Sequence, residues 1–252
     1  MTLTQTLDLT LAVLLLTAIA VIAGLFLRLD QWREVLIVVL RAVVQLFAVA
    51  VVIRFVFTEP EFAPLYLGVM VVAATATSSR RLRRRSVVGT IRPVLVAIVA
   101  GAGLAAAAVL VTHAIPWDVR QILPLVAQLI GGAMTATTLA SLRLLDDVQA
   151  QWDQVEARLA LGAEGRAAVL PFARGAARTA LLPALDQTRN VGLVVLPGAY
   201  VGLLLGGASP LEAGRLQLLV LVGLIAAESV AATVVTYGLS GRFGTVRPFA
   251  VA

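Results

Sequence analysis

The stretch PVLVAIVAGAGLAAAAVLVTHAI, from Pro93 to Ile115, decides the fold class, because none of its 23 residues is an aspartate, glutamate, lysine or arginine. A helix needs about 20 mostly apolar residues to cross the hydrocarbon core of a bilayer. The bilayer offers the backbone no hydrogen-bond partner, so a spanning segment must be an α-helix or part of a closed β-barrel. Barrel strands alternate apolar and polar residues over about 10 positions. This stretch is apolar at both odd and even positions, so it predicts a transmembrane helix.

Six further stretches have the same character, and together the set predicts about seven transmembrane helices. They cover approximately residues 7–27, 35–57, 64–77, 121–142, 191–205 and 211–238. Hydrophobic residues make up 60% of the 252 residues and charged residues 13%, whereas a soluble domain is about half apolar and a quarter charged. We therefore predict an all-α fold, a polytopic membrane protein with a single transmembrane domain over residues 1–252.

The arginines predict how the chain is oriented in the membrane. Cytoplasmic loops of membrane proteins carry an excess of basic residues. Here the alternate loops hold Arg28 and Arg33, the block from Arg80 to Arg85, the arginines from Arg143 to Arg189, and Arg242 with Arg247 in the tail. The other loops hold one arginine, Arg120. Seven spans place every basic loop in the cytoplasm, with the N-terminus outside and the C-terminus inside, whereas six or eight spans would divide the basic loops between the two sides.

The net charge of +6 and the isoelectric point of about 11.1 are therefore attributed to the basic cytoplasmic loops of a membrane protein. We expect contact with membrane lipid and no nucleic-acid partner.

Residues 143–190 are too long for a simple connection and predict a cytoplasmic helical coupling segment. Apolar residues recur every three or four positions, which predicts an amphipathic helix; they are Val148, Trp152, Val155 and Leu159. Asp146 and Asp147 are expected in its opening turns, where the helix dipole favours negative charge. Gly162 would end this helix as a C-terminal cap. A second helix follows over about Arg166 to Leu182, so the segment would form a rigid cytoplasmic knob.

Within this segment, the run EARLALG from Glu156 to Gly162 looks like the coupling loop of ABC transporter permeases. In those proteins a short helix docks into a groove on the ATP-hydrolysing subunit. The resemblance assigns this docking to Glu156, Leu161 and Gly162. A plain amphipathic helix on the membrane surface is the alternative.

A longer motif extends the resemblance. It is LPALDQTRNVGLVVLPG from Leu182 to Gly198, followed by GGASPLEA from Gly206 to Ala213, and the second predicted span contains RAVVQL from Arg41 to Leu46. Together these stretches resemble the FetB/YbbM family of bacterial permeases, which is linked to iron export, and its plant aluminium-tolerance relatives. The resemblance covers nearly the whole chain. It departs from the family at 131–134, which reads Gly-Gly-Ala-Met where the family tends to have Gly-Asn-x-Met.

The resemblance implies a homodimeric permease of the bacterial inner membrane that exports iron or a metal-linked small molecule. A separate ABC ATPase would power it, so this chain would be a transport subunit and not an enzyme. The sequence agrees on one point by itself: without lysine it contains no Gly-x-x-x-x-Gly-Lys-[Ser/Thr] loop. We therefore expect ATP on the partner subunit and no cofactor on this chain. Asp186 and Arg189 would either cap the following span or transmit movement from the coupling segment.

Polar and ionisable residues inside the predicted spans are candidates for the substrate pathway, because such groups are costly in a bilayer. They are Arg41, Gln45, Gln128 and Glu228, together with the thioether of Met134. Arg41 could instead form an ion pair with Glu228, and the glutamines could be interhelical hydrogen bonds. A second hypothesis is a stand-alone secondary carrier in which Glu228 relays a proton or an ion.

The sequence defines no metal-ligand set. It has no cysteine and one histidine, His113, which excludes thiolate sites and a multi-histidine site within one chain. His113 would lie near the outer end of the fourth span, as an exit ligand or as an ordinary interfacial residue. A membrane-embedded enzyme is disfavoured, because no serine–histidine or paired-carboxylate arrangement is present.

Overall fold

The computed structural model describes residues 3–26, 28, 31–85, 87 and 89–243, which form ten α-helices, one 3₁₀ turn at Pro60–Phe62 and no β-strand. The all-α prediction is confirmed. The helices are α1 (Leu3–Phe26), α2 (Trp32–Thr58), α3 (Ala63–Arg83), α4 (Ile91–Val111), α5 (Val119–Ala150), α6 (Trp152–Ala160), α7 (Gly165–Ala180), α8 (Leu182–Arg189), α9 (Gly198–Leu205) and α10 (Pro210–Phe243). Arg247, which entered the topology prediction, lies outside the described residues.

Six of the helices in the described part of the chain are long and apolar enough to cross a membrane, namely α1, α2, α3, α4, α5 and α10. The sequence predicted seven such helices, and the one predicted over 191–205 is not a continuous helix, so that prediction is wrong. Gly192 has a φ of +77°, and the Asn190 carbonyl accepts the amides of Leu193, Val194 and Val195 at 3.0–3.3 Å. These bonds close a turn in place of a helix. The chain resumes helical geometry only at α9, after Pro197, which has no amide hydrogen to donate.

The chain divides into two compact units, Met1–Glu61 and Phe62–Ala252. In the first unit, α1 and α2 pack against each other, and their apolar side chains are exposed over most of their length. In the second unit, α10 packs against α4, α5 and α7, and these helices form the core.

Glycines set the close packing of α10 in the second unit. A Cβ atom on Gly101 of α4 would lie 2.4 Å from the Ala227 carbonyl oxygen of α10. A Cβ atom on Gly223 of α10 would lie 3.2 Å from Leu129 of α5. Small residues of this kind let membrane helices approach closely, where van der Waals contact and hydrogen bonds hold them together.

Helices α3 and α5 run in the same direction. The Ser78 and Thr138 hydroxyls are 2.8 Å apart, and about two turns further along the chain from each, Arg85 and Asp146 form an ion pair at 3.7 Å. The arginine block at the C-terminal end of α3 therefore lies at the same end of this unit as the C-terminal end of α5.

Helices α5 and α10 are also parallel, because contacts follow the same order along both, first Leu129 with Gly223 and then Gly132 with Glu228. Because α5 and α10 are parallel, the chain must run back from the C-terminal end of α5 to the N-terminal end of α10. Helix α7 begins near the C-terminal end of α10, where Arg166 donates to the Tyr237 hydroxyl at 2.9 Å, and α9 lies beside the N-terminal half of α10. Helices α7, α8 and α9 therefore carry the chain from one end of α10 toward the other, where the sequence predicted one spanning helix.

The predicted coupling segment differs from its expected form. Asp146 and Asp147 lie in the last turns of α5 and not in the opening turns of the amphipathic helix, because α5 continues to Ala150 before the break at Gln151. Helix α6 is shorter than predicted. Gly162 has a φ of +87° and follows the helix end at Ala160, as expected of a glycine cap.

The second predicted helix exists as α7, and it does not project as part of a knob. Its apolar face is buried and packs against α5 and α10.

Candidate functional site

Glu228 lies in the middle of α10 and is only 9% exposed. Among the residues that the structure describes, it makes no hydrogen bond or ion pair. A carboxylate in such a place is costly in a bilayer, and ionisable residues of this kind mark substrate, ion or proton pathways. The geometry therefore keeps Glu228 as the central candidate.

Gly132 of α5 gives Glu228 its position. A Cβ atom at residue 132 would lie 2.9 Å from Glu228 Oε1 and 2.6 Å from Leu224 Cδ2, so the space that any other residue would fill is occupied by these two side chains. The neighbouring Gly131 has no such contact: a Cβ atom there would meet nothing within 4 Å. The glycine that departs from the resembled pattern is thus the one that faces the carboxylate.

A cavity of about 310 Å³ lies between the N-terminal halves of α5 and α10 and is closed on one side by α9. Its polar lining comes from Arg120, Gln121 and Gln128 of α5, and the rest of its wall is mostly apolar. An apolar cavity with a few convergent polar groups is the usual form of a small-molecule site. Gln128, predicted from the sequence as a pathway residue, is therefore at a cavity.

Leu224 and Gly132 separate this cavity from Glu228. On α5, Gly132 lies one turn beyond the lining residue Gln128, and on α10, Leu224 lies one turn beyond the lining residue Val220. Residues four apart share a helix face, so the cavity wall, the Leu224–Gly132 contact and Glu228 follow one another along the same interface. The arrangement gives a mostly apolar cavity with three polar side chains, an apolar constriction and a buried carboxylate in series.

Met134 does not belong to this series. Its side chain packs against the core, and its carbonyl oxygen accepts hydrogen bonds from the hydroxyls of Thr138 at 2.8 Å and Ser78 at 3.5 Å. The structure therefore separates Met134 from Gln128, because six residues along a helix of 3.6 residues per turn lead to a different face.

Arg41 and Gln45 lie four residues apart on α2, in the first unit, and both are exposed there. Their place on one helix face agrees with the sequence. The predicted ion pair of Arg41 with Glu228 joins residues of different units and stays a prediction.

The residues predicted to dock the ATPase occupy the end of α6. Val155 anchors this helix in the core, and the next residue, Glu156, is exposed. Leu161, just past the helix end, is 88% exposed, and Gly162 turns the chain in the left-handed region. The end of α6 is therefore an exposed apolar tip beside an acidic side chain.

Two arginines connect α6 to the membrane helices. Arg158 of α6 donates to the Ala168 carbonyl of α7 at 2.9 Å and lies 5.3 Å from the centre of the Phe172 ring. Arg166 of α7 donates to the Tyr237 hydroxyl and lies 4.3 Å from the centre of its ring. Each contact adds a cation–π attraction to a hydrogen bond. Contacts thus run from α6 through α7 to α10.

Asp186 and Arg189 lie in the last turn of α8 and form an exposed ion pair at 3.4 Å. Capping of a following span by these side chains is not observed, because α8 ends at Arg189 and no helix begins there. The two residues flank the turn between α8 and α9, so the alternative role in transmitting movement stays a prediction.

His113 ends α4 with a φ of +50°, and its Nδ1 atom accepts a hydrogen bond from Trp117 Nε1 at 3.0 Å. Within the described residues no group of three or more histidine, cysteine, aspartate or glutamate side chains could hold a metal ion. A lone glutamate suits transient contact with a hard cation and not a resident metal.

Sequence reasoning missed Leu224, Arg166 and Tyr237. Leu224 is one of many leucines in an apolar run, and only the position of Gly132 distinguishes it. Arg166 and Tyr237 are 71 residues apart, and no local pattern connects them.

Comparison with known proteins gives a consistent result. The model of the "Uncharacterised protein family (UPF0014)" matches residues 6–243. The UPF0014 membrane protein STAR2 of Oryza sativa subsp. japonica is 36% identical over 220 residues, which cover 87% of this chain and 77% of that protein. Protein ALUMINUM SENSITIVE 3 of Arabidopsis thaliana is 32% identical over 226 residues, covering 90% and 83%.

The bacterial relative called "Probable iron export permease protein FetB", from Escherichia coli strain K12, is 28% identical over 224 residues, which cover 89% of this chain and 86% of that protein. No solved structure shows a significant match. The resemblance drawn from the sequence motifs is confirmed.

Proposed function

This chain belongs to the UPF0014 family of membrane proteins, and from that premise we propose that it is the permease subunit of an ABC transporter, working as a homodimer in a bacterial inner membrane. It exports iron or a metal-linked small molecule, and a separate ATP-binding subunit supplies the energy. The substrate class follows the name of the FetB relative. The observation that carries the ABC assignment is the exposed tip of α6.

The tip of α6 has the properties of a docking element. Leu161 exposes nearly its whole side chain, while Val155 and the two contacts of Arg158 hold the helix on the protein. An exposed apolar side chain on a rigid base, with Glu156 beside it, fits an anchor that fills a pocket on a partner surface. The 252 residues contain no phosphate-binding loop with a lysine, so ATP is expected on that partner.

Movement of α6 reaches the candidate site through two contacts. Arg158 ties α6 to α7, and Arg166 ties α7 to Tyr237 of α10. Glu228 lies nine residues before Tyr237 on the same helix, about 13 Å away at 1.5 Å per residue. A displacement of α6 driven by ATP binding would therefore shift α10 against α5, where Leu224 and Gly132 close the way between the cavity and Glu228.

In this mechanism the substrate passes between the cavity at Gln128 and Glu228 when Leu224 leaves Gly132. The carboxylate attracts the cationic part of the substrate, and the apolar contact of Leu224 blocks the passage in the resting state. With the arginine block at the end of α3 and Arg242 at the end of α10 in the cytoplasm, the cavity opens toward the outside, as export requires. Arg41 and Gln45 of α2 stay candidates for the substrate pathway on the sequence alone.

A stand-alone secondary carrier is the second candidate, and the buried Glu228, which has no partner among the described residues, favours it. A proton or ion relay needs one carboxylate that can change its state, and it needs no ATPase. Transport driven by a pH gradient in liposomes that contain only this chain would support the carrier and contradict the ABC assignment.

The test of the ABC proposal is purification of the tagged chain from its native host in mild detergent, followed by identification of the proteins that accompany it. We expect an ATPase subunit to co-purify with the unchanged chain and with Glu212→Gln, a control in the exposed first turn of α10. Leu161→Asp should lose the ATPase and keep its fold, because Leu161 has little contact with the rest of the chain.

Gly162→Trp tests the same surface less cleanly, because a left-handed φ costs a residue with a side chain about 1–2 kcal/mol. Co-purification of the ATPase with Leu161→Asp at the level of the unchanged chain would refute docking at α6.

A further inference from the structure

A groove of about 320 Å³ between α3 and α4 has a chemistry that the proposed transport pathway does not use. On α3 it is lined by Val72, Thr75, Ala76, Ser79, Arg80 and Arg83. These positions recur every three or four residues, so they form one face of the helix. From α4 the apolar side chains of Ile91 and Leu95 complete the groove.

The polarity of this face changes steadily along α3. Arg83 and Arg80 lie at the helix end, Ser79 and Thr75 lie within the next turns, and Val72 lies deepest. The distance from Arg83 to Val72 along the helix is about 16 Å at 1.5 Å per residue. The positive end matches the phosphate of a phospholipid. The hydroxyl-lined middle matches its glycerol esters, and the apolar inner part of the groove matches its acyl chain.

The two hydroxyls have no partner among the described residues. Thr75 and Ser79 are 6% and 3% exposed, and neither hydroxyl oxygen makes a hydrogen bond. Many hydroxyls of the membrane helices bond to the carbonyl four residues back, as Thr77 does to Ala73 at 2.8 Å, although the buried Thr137 hydroxyl of α5 also lacks a partner among the described residues. A buried hydroxyl without a hydrogen bond is unfavourable. Because Thr75 and Ser79 also line the groove, rotation of either side chain toward it would let the hydroxyl donate to an acceptor oxygen of a ligand.

The charged end favours an anion. Arg80 and Arg83 form no ion pair with a described residue, whereas Arg85 in the same block pairs with Asp146 at 3.7 Å. This end of the second unit carries the dense block from Arg80 to Arg85, which by the positive-inside rule places it at the cytoplasmic leaflet. Basic sites between membrane helices on that side bind the head groups of anionic lipids.

We propose that this groove binds one anionic phospholipid of the cytoplasmic leaflet, with its phosphate on Arg80 and Arg83, its ester oxygens at Ser79 and Thr75, and an acyl chain along Val72 and Leu95. A free phosphate would use only the charged end and leave the apolar part of the groove uncovered. The site is independent of the transport pathway and of the docking tip on α6.

The test is thermal unfolding of the purified full chain in detergent, with added phosphatidylglycerol, phosphatidylcholine or inorganic phosphate. We expect phosphatidylglycerol alone to raise the melting temperature. The double substitution Arg80→Gln and Arg83→Gln should lower the apparent affinity for phosphatidylglycerol about thirtyfold, since each arginine near an anionic surface raises the binding constant about fivefold. Ala76→Trp, which fills the groove and keeps both charges, should weaken the same response.

The matched control is the double substitution Arg81→Gln and Arg84→Gln, which removes the same charge from the same block outside the groove and should keep the response. An equal loss in this control would show general attraction to anionic lipid and overturn the site. Equal stabilisation by phosphatidylcholine or by phosphate alone would overturn the anionic-lipid assignment. Equal melting temperatures of the unchanged chain and the Arg80/Arg83 variant without lipid establish that the variant is folded.

Discussion

Gly132 and Glu228 are in contact across the interface of α5 and α10, so closely that a Cβ atom at residue 132 would lie 2.9 Å from Glu228 Oε1. The same atom would lie 2.6 Å from Leu224 Cδ2. One glycine therefore accommodates both the carboxylate of the candidate site and the leucine that separates it from the cavity. Substitution here tests the geometry directly.

Gly132→Ala should lower the free energy of unfolding by about 1–3 kcal/mol, the usual cost of overpacking, because Leu224 and Glu228 must both move. Iron export by cells that contain the complete transporter should fall further than stability alone explains. Gly131→Ala is the control: its Cβ atom meets nothing within 4 Å, and alanine favours the helix by about 1 kcal/mol. Unfolding in detergent and iron efflux from cells measure the two effects, and indistinguishable behaviour of the two variants would contradict the contact.

Gly101→Ala should destabilise the protein more than Gly132→Ala does. Its Cβ atom would lie 2.4 Å from the Ala227 carbonyl oxygen. A backbone oxygen cannot move away by a change of rotamer, whereas the end of the Leu224 side chain can. We expect a loss at or above the upper end of about 1–3 kcal/mol, with less folded protein in the membrane. Gly103→Ala, two residues away with nothing within 4 Å of its Cβ atom, should express and unfold like the unchanged chain. Thermal unfolding compares the pair, and a stable Gly101→Ala protein would show that α4 and α10 are further apart.

Glu228→Gln removes the charge and keeps the shape of the side chain. If Glu228 contacts the substrate, transport should fall roughly ten- to hundredfold, which is the loss of one charge-assisted contact of about 1.5–3 kcal/mol. Stability should not fall, because a neutral amide is easier to bury than an unpaired carboxylate. The control is Glu212→Gln in the exposed first turn of α10. Unchanged transport by Glu228→Gln would remove Glu228 from the pathway in both candidate functions.

Tyr237→Ala should separate ATP hydrolysis from transport. It removes both contacts of Arg166, the hydrogen bond of 2.9 Å and the ring at 4.3 Å, and thus the connection of α7 to α10. The ATPase should still co-purify, since α6 is unchanged, while transport per ATP hydrolysed declines. Tyr237→Phe keeps the ring and should retain most of the coupling. The ratio of substrate exported to ATP hydrolysed in proteoliposomes is the measurement, and a normal ratio for the alanine variant would exclude this route of coupling.

The candidate site was partly visible in the sequence. Glu228 and Gln128 are polar residues in apolar runs, and the cost of burying them marks such residues without any knowledge of their neighbours. Met134 was grouped with them on chemical type, and its helix face separates it from the cavity. Leu224 carried no signal, because a leucine in an apolar run acquires a role only from the residue it meets on another helix.

The sequence by itself determined that the chain is helical and spans a membrane, and it placed the break at Gly162, because hydropathy, helix length and glycine geometry are local properties. It also indicated an odd number of crossings, since the arginines are distributed along the chain in a countable order. Only the tertiary structure decided that a turn follows Asn190 where the sequence predicted a helix, that α7 is buried against α5 and α10, and that Gly132 faces Glu228. These features depend on which helix faces meet. In an apolar environment many faces have similar hydrophobicity, so hydrophobicity does not determine the pairing. Close packing of small residues determines it instead.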